Sequence, residues 1–210
     1  MRTIVFFGDS ITAGNRSLEL PLGDGFVSMV KSKIDDALRL DAFEIINSGI
    51  NGHTVQDLLK RVRSDVSSHE PDMVVIKIGI NDAYNDYISV DDPQRIMDYR
   101  NDFITLIREL NNRQEHIQLL LLTPYYITDT PDNELYKTMS RYRSLVLLTY
   151  LNFLTLHILG NLALVVNNIS IYNSCNWPTS CGPPIKRTPV NFCKQLPVSN
   201  SFLFPHVDQN

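Results

Sequence analysis

The chain has 210 residues, a formal net charge of −4 and 43% hydrophobic residues. This length suits one α/β domain with a sizeable core and leaves little room for a second. The small negative charge provides no basic face for nucleic acid or for an anionic membrane, so we expect a small neutral or apolar ligand.

Neither end of the chain indicates secretion or metal binding. Met1 and Arg2 lead directly into an apolar segment, without the longer apolar region and cleavage site of a secretory signal. We therefore expect a cytoplasmic protein. Three cysteines lie late in the chain, with no histidine or cysteine pair nearby at zinc spacing, namely Cys175, Cys181 and Cys193. No disulfide framework, metal or cofactor is predicted.

The first predicted strand ends in a turn that contains a serine. Residues 3–7 are apolar or β-branched, as in a strand buried on both faces, and Gly8, Asp9 and Ser10 follow directly. In open α/β sheets, ligands bind where such strands end. Ser10 therefore lies at the position where this fold performs its chemistry.

Two further strands end in polar turns that contain glycine. Residues 43–47 form the second predicted strand, and Gly52 lies in the turn after it. A capping pair, Thr54 and Asp57, then begins an amphipathic helix. Residues 73–78 form a third, apolar strand, and Asn81 follows it.

The remaining pattern completes an α/β fold. A helix is predicted after residue 92, a fourth strand at residues 117–122, and another helix after residue 131. Alternating strands and helices with short connections predict a three-layer αβα sandwich around a doubly wound parallel sheet, as in flavodoxin-like folds. Because parallel strands share one carboxyl edge, Ser10, Gly52 and Asn81 are expected to meet there.

The composition changes at about Leu145. Only four of the chain's charged residues, but six of its eleven prolines, lie among the last 66 residues. No alternation of strand and helix is legible there, so we predict an αβα domain at residues 1–144 and an atypical tail at residues 145–210. We expect this charge-poor, proline-rich tail, whether linker-like, disordered or frameshifted, to contribute little to the core.

The three polar turns together suit ester hydrolysis, which requires a nucleophile, a base and donors for the oxyanion. Ser10 has the hydroxyl, Gly52 lets an oxygen approach a backbone N–H, and Asn81 adds an amide donor. Each residue alone is equally an ordinary turn residue. Their joint placement after three separate strands favours the catalytic interpretation.

These motifs resemble those of the SGNH hydrolases, also called GDSL esterases and lipases, over about residues 3–144. Gly8-Asp9-Ser10-Ile11 corresponds to the family's first block, Gly52 to its second-block glycine, and Gly79-Ile80-Asn81-Asp82 to its third block. The resemblance implies a serine ester hydrolase for a small ester or an acylated sugar or lipid. It also implies that Ser10 is the nucleophile and that Ser10, Gly52 and Asn81 form the oxyanion hole.

The last block of that family, Asp-Xaa-Xaa-His, is absent. It supplies the histidine that acts as general base and the aspartate that orients it. His157 has Leu154 at the position of the acid, and His206 has Leu203. The chain is therefore expected to be catalytically impaired, with His206 or His53 as the remote alternatives for the base.

Other interpretations stay open. The missing block favours a catalytically inactive domain that binds such ligands. A flavin or nucleotide binder would share this topology, but no phosphate-binding glycine motif is present, and Asp9 would repel a phosphate at Ser10. Residues 145–166 carry no charge and are long enough for a membrane span, but several polar residues lower their hydropathy. A buried helix followed by a strand is therefore favoured. The oligomeric state is left undetermined.

Overall fold

The computed structural model describes residues 2–38, 43–89, 92–113, 117–126, 133–155 and 162–165. The strands are β1 (Arg2–Gly8), β2 (Phe43–Gly49), β3 (Met73–Lys77), β4 (Gln118–Leu122) and β5 (Leu162–Val165). The helices are α1 (Ser10–Ala13), α2 (Phe26–Leu38), α3 (Val55–Asp65), α4 (Ile80–Ile88), α5 (Pro93–Arg113) and α6 (Glu134–Thr155). A 3₁₀ turn spans Ser67–His69.

The five strands form one parallel sheet in the order β2-β1-β3-β4-β5. Side chains of β1 alternate between its two faces, because a strand has a period of two residues. Val5 and Phe7 pack in a core with α3, α5 and α6, whereas Ile4 and Phe6 pack in a second core with α2. The predicted αβα sandwich, with its flavodoxin-like strand order, is therefore confirmed.

Regular secondary structure continues past residue 144 in the described part of the chain. Helix α6 continues to Thr155, and its residues Val146 and Phe153 are buried in the core. Strand β5 then pairs with β4, with Leu119 opposite Leu162. The uncharged residues Val146 and Phe153 are thus core residues, and composition alone did not distinguish such burial from an unfolded tail.

Residues 166–210 lie outside the described residues, so the division of the chain at residue 144 and the nature of the tail stay predictions. The described part of the chain contains no helix that is long and apolar enough to cross a membrane. In the described range, residues 145–165 agree with the favoured alternative, a buried helix followed by a strand.

The carboxyl ends of β1, β2 and β3 lie side by side. Gly8, the last residue of β1, pairs with Gly49 of β2 on one side and with Lys77 of β3 on the other. Neighbouring strands are about 4.8 Å apart. The turns that follow these three strands therefore begin at one edge of the sheet, as the sequence predicted.

Candidate active site

Ser10 is the first residue of α1, directly after the turn that ends β1. The carboxylate of Asp9 accepts a hydrogen bond of 2.9 Å from the main-chain N–H of Ile11 and so caps this short helix. Asp9 is 1% exposed, whereas Ser10 is half-buried. The buried cap holds the backbone of Ser10, and the serine side chain lies nearer to solvent.

Helix α1 packs directly on the end of β2. A Cβ atom on Gly49 would overlap the main-chain nitrogen of Ala13, so only glycine permits this approach. The side-chain amide of Asn47 donates to the carbonyl oxygens of Thr12 at 2.8 Å and of Leu22 at 2.9 Å. These contacts fix the serine turn relative to the strand that leads to Gly52.

Gly52 lies in the exposed turn between β2 and α3. Its φ of +79° is in the left-handed region, which explains why the position suits glycine. A Cβ atom built there would have no neighbour within 4 Å. The glycine is thus required by its backbone conformation, and the space beside it is open to a ligand.

Asn81 lies in the first turn of α4, and its side chain joins the second and third turns of the site. The Asn81 Nδ2 donates a hydrogen bond of 2.8 Å to the main-chain carbonyl oxygen of His53, the residue after Gly52. The next residue, Asp82, accepts from the main-chain N–H of Val55 at 3.1 Å. The beginning of α4 is therefore attached to the turn and helix that follow β2.

The guanidinium of Arg61 on α3 binds both strand ends. It donates to the carbonyl oxygen of Ser48 at 2.8 Å and to that of Gly8 at 3.0 Å. It also donates to Asp65 at 2.7 Å, and its Nε donates to the imidazole Nδ1 of His53 at 3.1 Å. Only 10% of the Arg61 side chain is exposed.

The contact with Arg61 determines which ring nitrogen of His53 carries the hydrogen. Burial, followed by the nearby Arg61, lowers the pKa of His53 below its usual value. The imidazole is therefore neutral near pH 7, and because Nδ1 accepts a hydrogen bond, its hydrogen is on Nε2. A histidine in this state has no free lone pair for the Ser10 proton, which argues against His53 as the base. His206 and His157 lie outside the described residues.

A buried lysine lies at the end of β3, beside the serine turn. Lys77 is 4% exposed, and its Nζ is 4.0 Å from the centroid of the Tyr125 ring. Burial lowers the pKa of Lys77 to about 8, and Asp9 opposes that shift. Burial likewise raises the pKa of Asp9 to about 6 against the effect of Lys77. Two opposite charges thus interact beneath the turn that carries Ser10.

The sequence analysis found the three turns but missed Arg61 and Lys77. Lys77 could have been noticed as the single charged residue in an otherwise apolar strand at residues 73–78. Arg61 gave a weaker signal, because it lies beside the apolar stripe of its helix and resembles a solvated surface arginine. Two of its partners are main-chain carbonyl groups, which no sequence motif records.

In this parallel αβα sandwich, a serine follows the carboxyl end of an inner strand, which is where open α/β sheets bind their ligands. The chain belongs to the GDSL-like lipase/acylhydrolase family, whose profile matches residues 6–147.

Known relatives agree with this family. An acetylxylan esterase of Geobacillus stearothermophilus is 30% identical over 151 residues, which is 68% of each chain. A solved catalytic mutant of Axe2, an acetylxylan esterase of that organism, has a TM-score of 0.67 at 27% identity and covers 78% of this chain and 75% of its own. LAE5, an α/β hydrolase enzyme from the metagenome of Lake Arreo, Spain, has a TM-score of 0.64 at 25% identity, over 72% and 73% of the two chains.

Proposed function

We propose that this chain cleaves small acyl esters, with Ser10 as nucleophile and with Gly52 and Asn81 as oxyanion donors. The observation that carries the proposal is the hydrogen bond between the Asn81 amide and the carbonyl oxygen of His53. It joins two of the three predicted site segments, and the third begins on the strand between them.

The proposed chemistry begins with attack of the Ser10 Oγ on the ester carbonyl carbon, whose oxygen becomes an oxyanion. The main-chain N–H groups of Ser10 and Gly52 are the proposed donors to that oxygen. A side-chain amide has two hydrogens, so Asn81 can donate one to His53 and retains the other for the oxyanion. The tetrahedral intermediate then expels the alcohol and leaves an acyl group on Ser10, which water removes.

The proton of Ser10 must be taken up by a base and passed to the departing alcohol. A positioned base contributes about 10² to 10⁴ in rate. Axe2 structures described as catalytic mutants carry alanine in place of a serine, an aspartate or a histidine. Because this chain lacks the Asp-Xaa-Xaa-His block, we propose that its turnover is slow as the sequence stands.

The proposed substrate is an acetylated saccharide or a similarly small acyl ester. The curated relative is an acetylxylan esterase, and the open space beside Gly52 suits an acyl group whose alcohol part extends into solvent.

The test is hydrolysis of an aryl acetate by the full chain, by Ser10→Ala and by Ser17→Ala, which changes an exposed serine as a matched control. We expect weak turnover, of order 10³ over water, that Ser10→Ala removes and Ser17→Ala retains. Turnover that is unchanged in Ser10→Ala would contradict the assignment of Ser10 as the nucleophile.

The alternative is a catalytically inactive domain that binds acylated ligands, which the missing histidine block favours. Absence of any turnover, together with saturable binding of an acetylated xylo-oligosaccharide, would support this alternative. A third variant, His206→Ala, tests whether an active chain uses His206 as its base. Robust turnover that is lost in this variant would identify His206 as the base.

A further inference from the structure

We propose that Arg61 is a positioning residue for the oxyanion-binding turn, because it holds the side chain of His53, the residue after Gly52, beside the end of β1. This inference rests on the proposed function for the roles of Ser10, Gly52 and Asn81. It adds a residue that none of the three predicted motifs contains.

The geometry of the guanidinium supports this role. Arg61 uses Nη2 for Gly8, Nη1 for Ser48 and Asp65, and Nε for His53, so all three of its nitrogens are engaged. The guanidinium carbon also lies 4.5 Å from the centroid of the Phe7 ring. A planar group held on its face and at its edge has little rotational freedom.

Each acceptor lies in or beside a segment that the reaction needs. The carbonyl oxygen of Gly8 is two residues before Ser10, and it also accepts from the N–H of Ile50 at 3.1 Å, in the turn that leads to Gly52. His53 directly follows Gly52, and its carbonyl oxygen accepts from Asn81. Arg61 is thus one hydrogen bond from the serine strand and one from the turn to which Asn81 is attached.

His53 transmits this constraint. Its ring nitrogen is bonded to Arg61 and its main-chain oxygen to Asn81, so the residue is held from two sides. The turn that contains Gly52 is exposed, and its main chain is closed by one long hydrogen bond of 3.4 Å from the His53 N–H to the carbonyl oxygen of Ile50. Without Arg61, the ring would be free to rotate, and the direction of the Gly52 N–H would be less defined.

The test uses the full chain with Arg61→Met, Arg61→Lys and the control Arg63→Met, which changes an exposed arginine of the same helix. The first readout is the nitrogen-15 NMR spectrum of His53 at pH 8. We expect hydrogen on Nε2 alone in the parent chain and in Arg63→Met, and a mixture of tautomers in Arg61→Met. Lysine has no planar fork, so Arg61→Lys should resemble Arg61→Met.

The second readout is aryl acetate hydrolysis. Loss of one oxyanion donor costs about 10² to 10³ in kcat, so displacement of the Gly52 donor should lower kcat by at least about tenfold. KM should stay within about twofold, because the oxyanion exists only after the substrate has bound.

A second pair of variants tests the idea if Arg61 is needed for folding. His53→Gln keeps a side-chain acceptor for Arg61, whereas His53→Leu removes it. We expect His53→Gln to retain most of the parent kcat and His53→Leu to lose it. Equal kcat in these two variants would overturn the positioning role, as would an unchanged His53 tautomer in Arg61→Met.

The failure of this inference can be distinguished from failure of the proposed function. If neither the parent chain nor any variant shows turnover that depends on Ser10, the proposed function fails. The NMR tautomer of His53 and the amide hydrogen exchange of Gly52 still decide whether Arg61 holds the turn. Exchange at Gly52 that is no faster in Arg61→Met than in Arg63→Met would contradict the inference.

Discussion

The side-chain amide of Asn81 donates a hydrogen bond of 2.8 Å to the main-chain oxygen of His53, across 28 residues of sequence. This contact connects the turn after β3 with the turn after β2. It leaves the second amide hydrogen of Asn81 available, and it explains why an asparagine suits this position better than a residue with only one donor.

We therefore expect Asn81→Ala to lower kcat for an aryl acetate by about 10² to 10³ with a small change in KM. Two effects contribute, since the variant loses a donor and also releases the carbonyl oxygen of His53. Asn85→Ala, on the exposed side of the same helix, is the control and should retain the parent activity. Steady-state kinetics of both variants measures the difference, and equal kcat values would contradict a role for Asn81.

Two glycines of the site should respond differently to alanine. Gly49→Ala places a methyl group against the main chain of Ala13, which cannot move without displacing α1, so we expect a loss of several kcal/mol in unfolding free energy. Gly52→Ala meets no neighbour and costs only the left-handed conformation, about 1–2 kcal/mol. Urea unfolding of the two variants gives the comparison, and a larger loss for Gly52→Ala would contradict it.

Gly52→Ala is nevertheless expected to reduce ester hydrolysis strongly. The added methyl group would occupy the open space beside Gly52, through which the proposed mechanism brings the acyl oxygen to the Gly52 N–H. Because this variant retains most of its stability, its kcat can be measured on folded protein. Activity equal to that of the parent chain would show that substrate does not use this space.

The pH dependence of stability should depend on Asp82. Burial raises its pKa from 3.8 in the unfolded chain to about 7, although the N–H of Val55 opposes that shift. The folded state then binds more protons than the unfolded state between about pH 4 and pH 7. Stability is therefore greatest at the acidic end of that window and falls as the pH rises through it, by at most about 1.4 kcal/mol per pH unit for one group.

Asp82→Asn removes this titration and keeps an oxygen that accepts from Val55. We expect its unfolding free energy to fall less steeply between pH 5 and pH 7 than that of the parent chain. Asp9, whose pKa is also raised, is present in both proteins. The difference between them in how unfolding free energy changes with pH therefore reports Asp82. Urea unfolding at pH 5 and pH 7 gives the change of unfolding free energy with pH. An identical change in the two proteins would contradict the raised pKa of Asp82.

The interaction between Lys77 and Asp9 can be measured directly. Lys77→Met removes the positive charge that lowers the pKa of Asp9, so the pKa of Asp9 should rise above its parent value of about 6. Carbon-13 NMR of the aspartate carboxyl groups follows the titration. Lys33→Met, which changes an exposed lysine, should leave Asp9 unaffected.

The local pattern of the chain was enough to predict the first four strands, their parallel arrangement and the sheet edge at which the three turns begin. A strand such as residues 73–78 is recognised from a run of apolar residues, and a helix such as α6 from an apolar stripe. Both patterns involve residues that are close in sequence, so they can be recognised without tertiary structure. The motifs around Ser10, Gly52 and Asn81 are equally local, since each lies within one turn.

Tertiary structure decided the contacts between those turns. Arg61 binds carbonyl oxygens of Gly8 and Ser48, and such groups are present in every residue, so sequence cannot indicate which one an arginine contacts. The shifted pKa values of Asp9, Lys77 and Asp82 likewise arise from burial, which depends on packing of the whole chain. Composition also could not show that residues 162–165 add a fifth strand to the sheet, because low charge is typical of a buried segment as well as of an unfolded one.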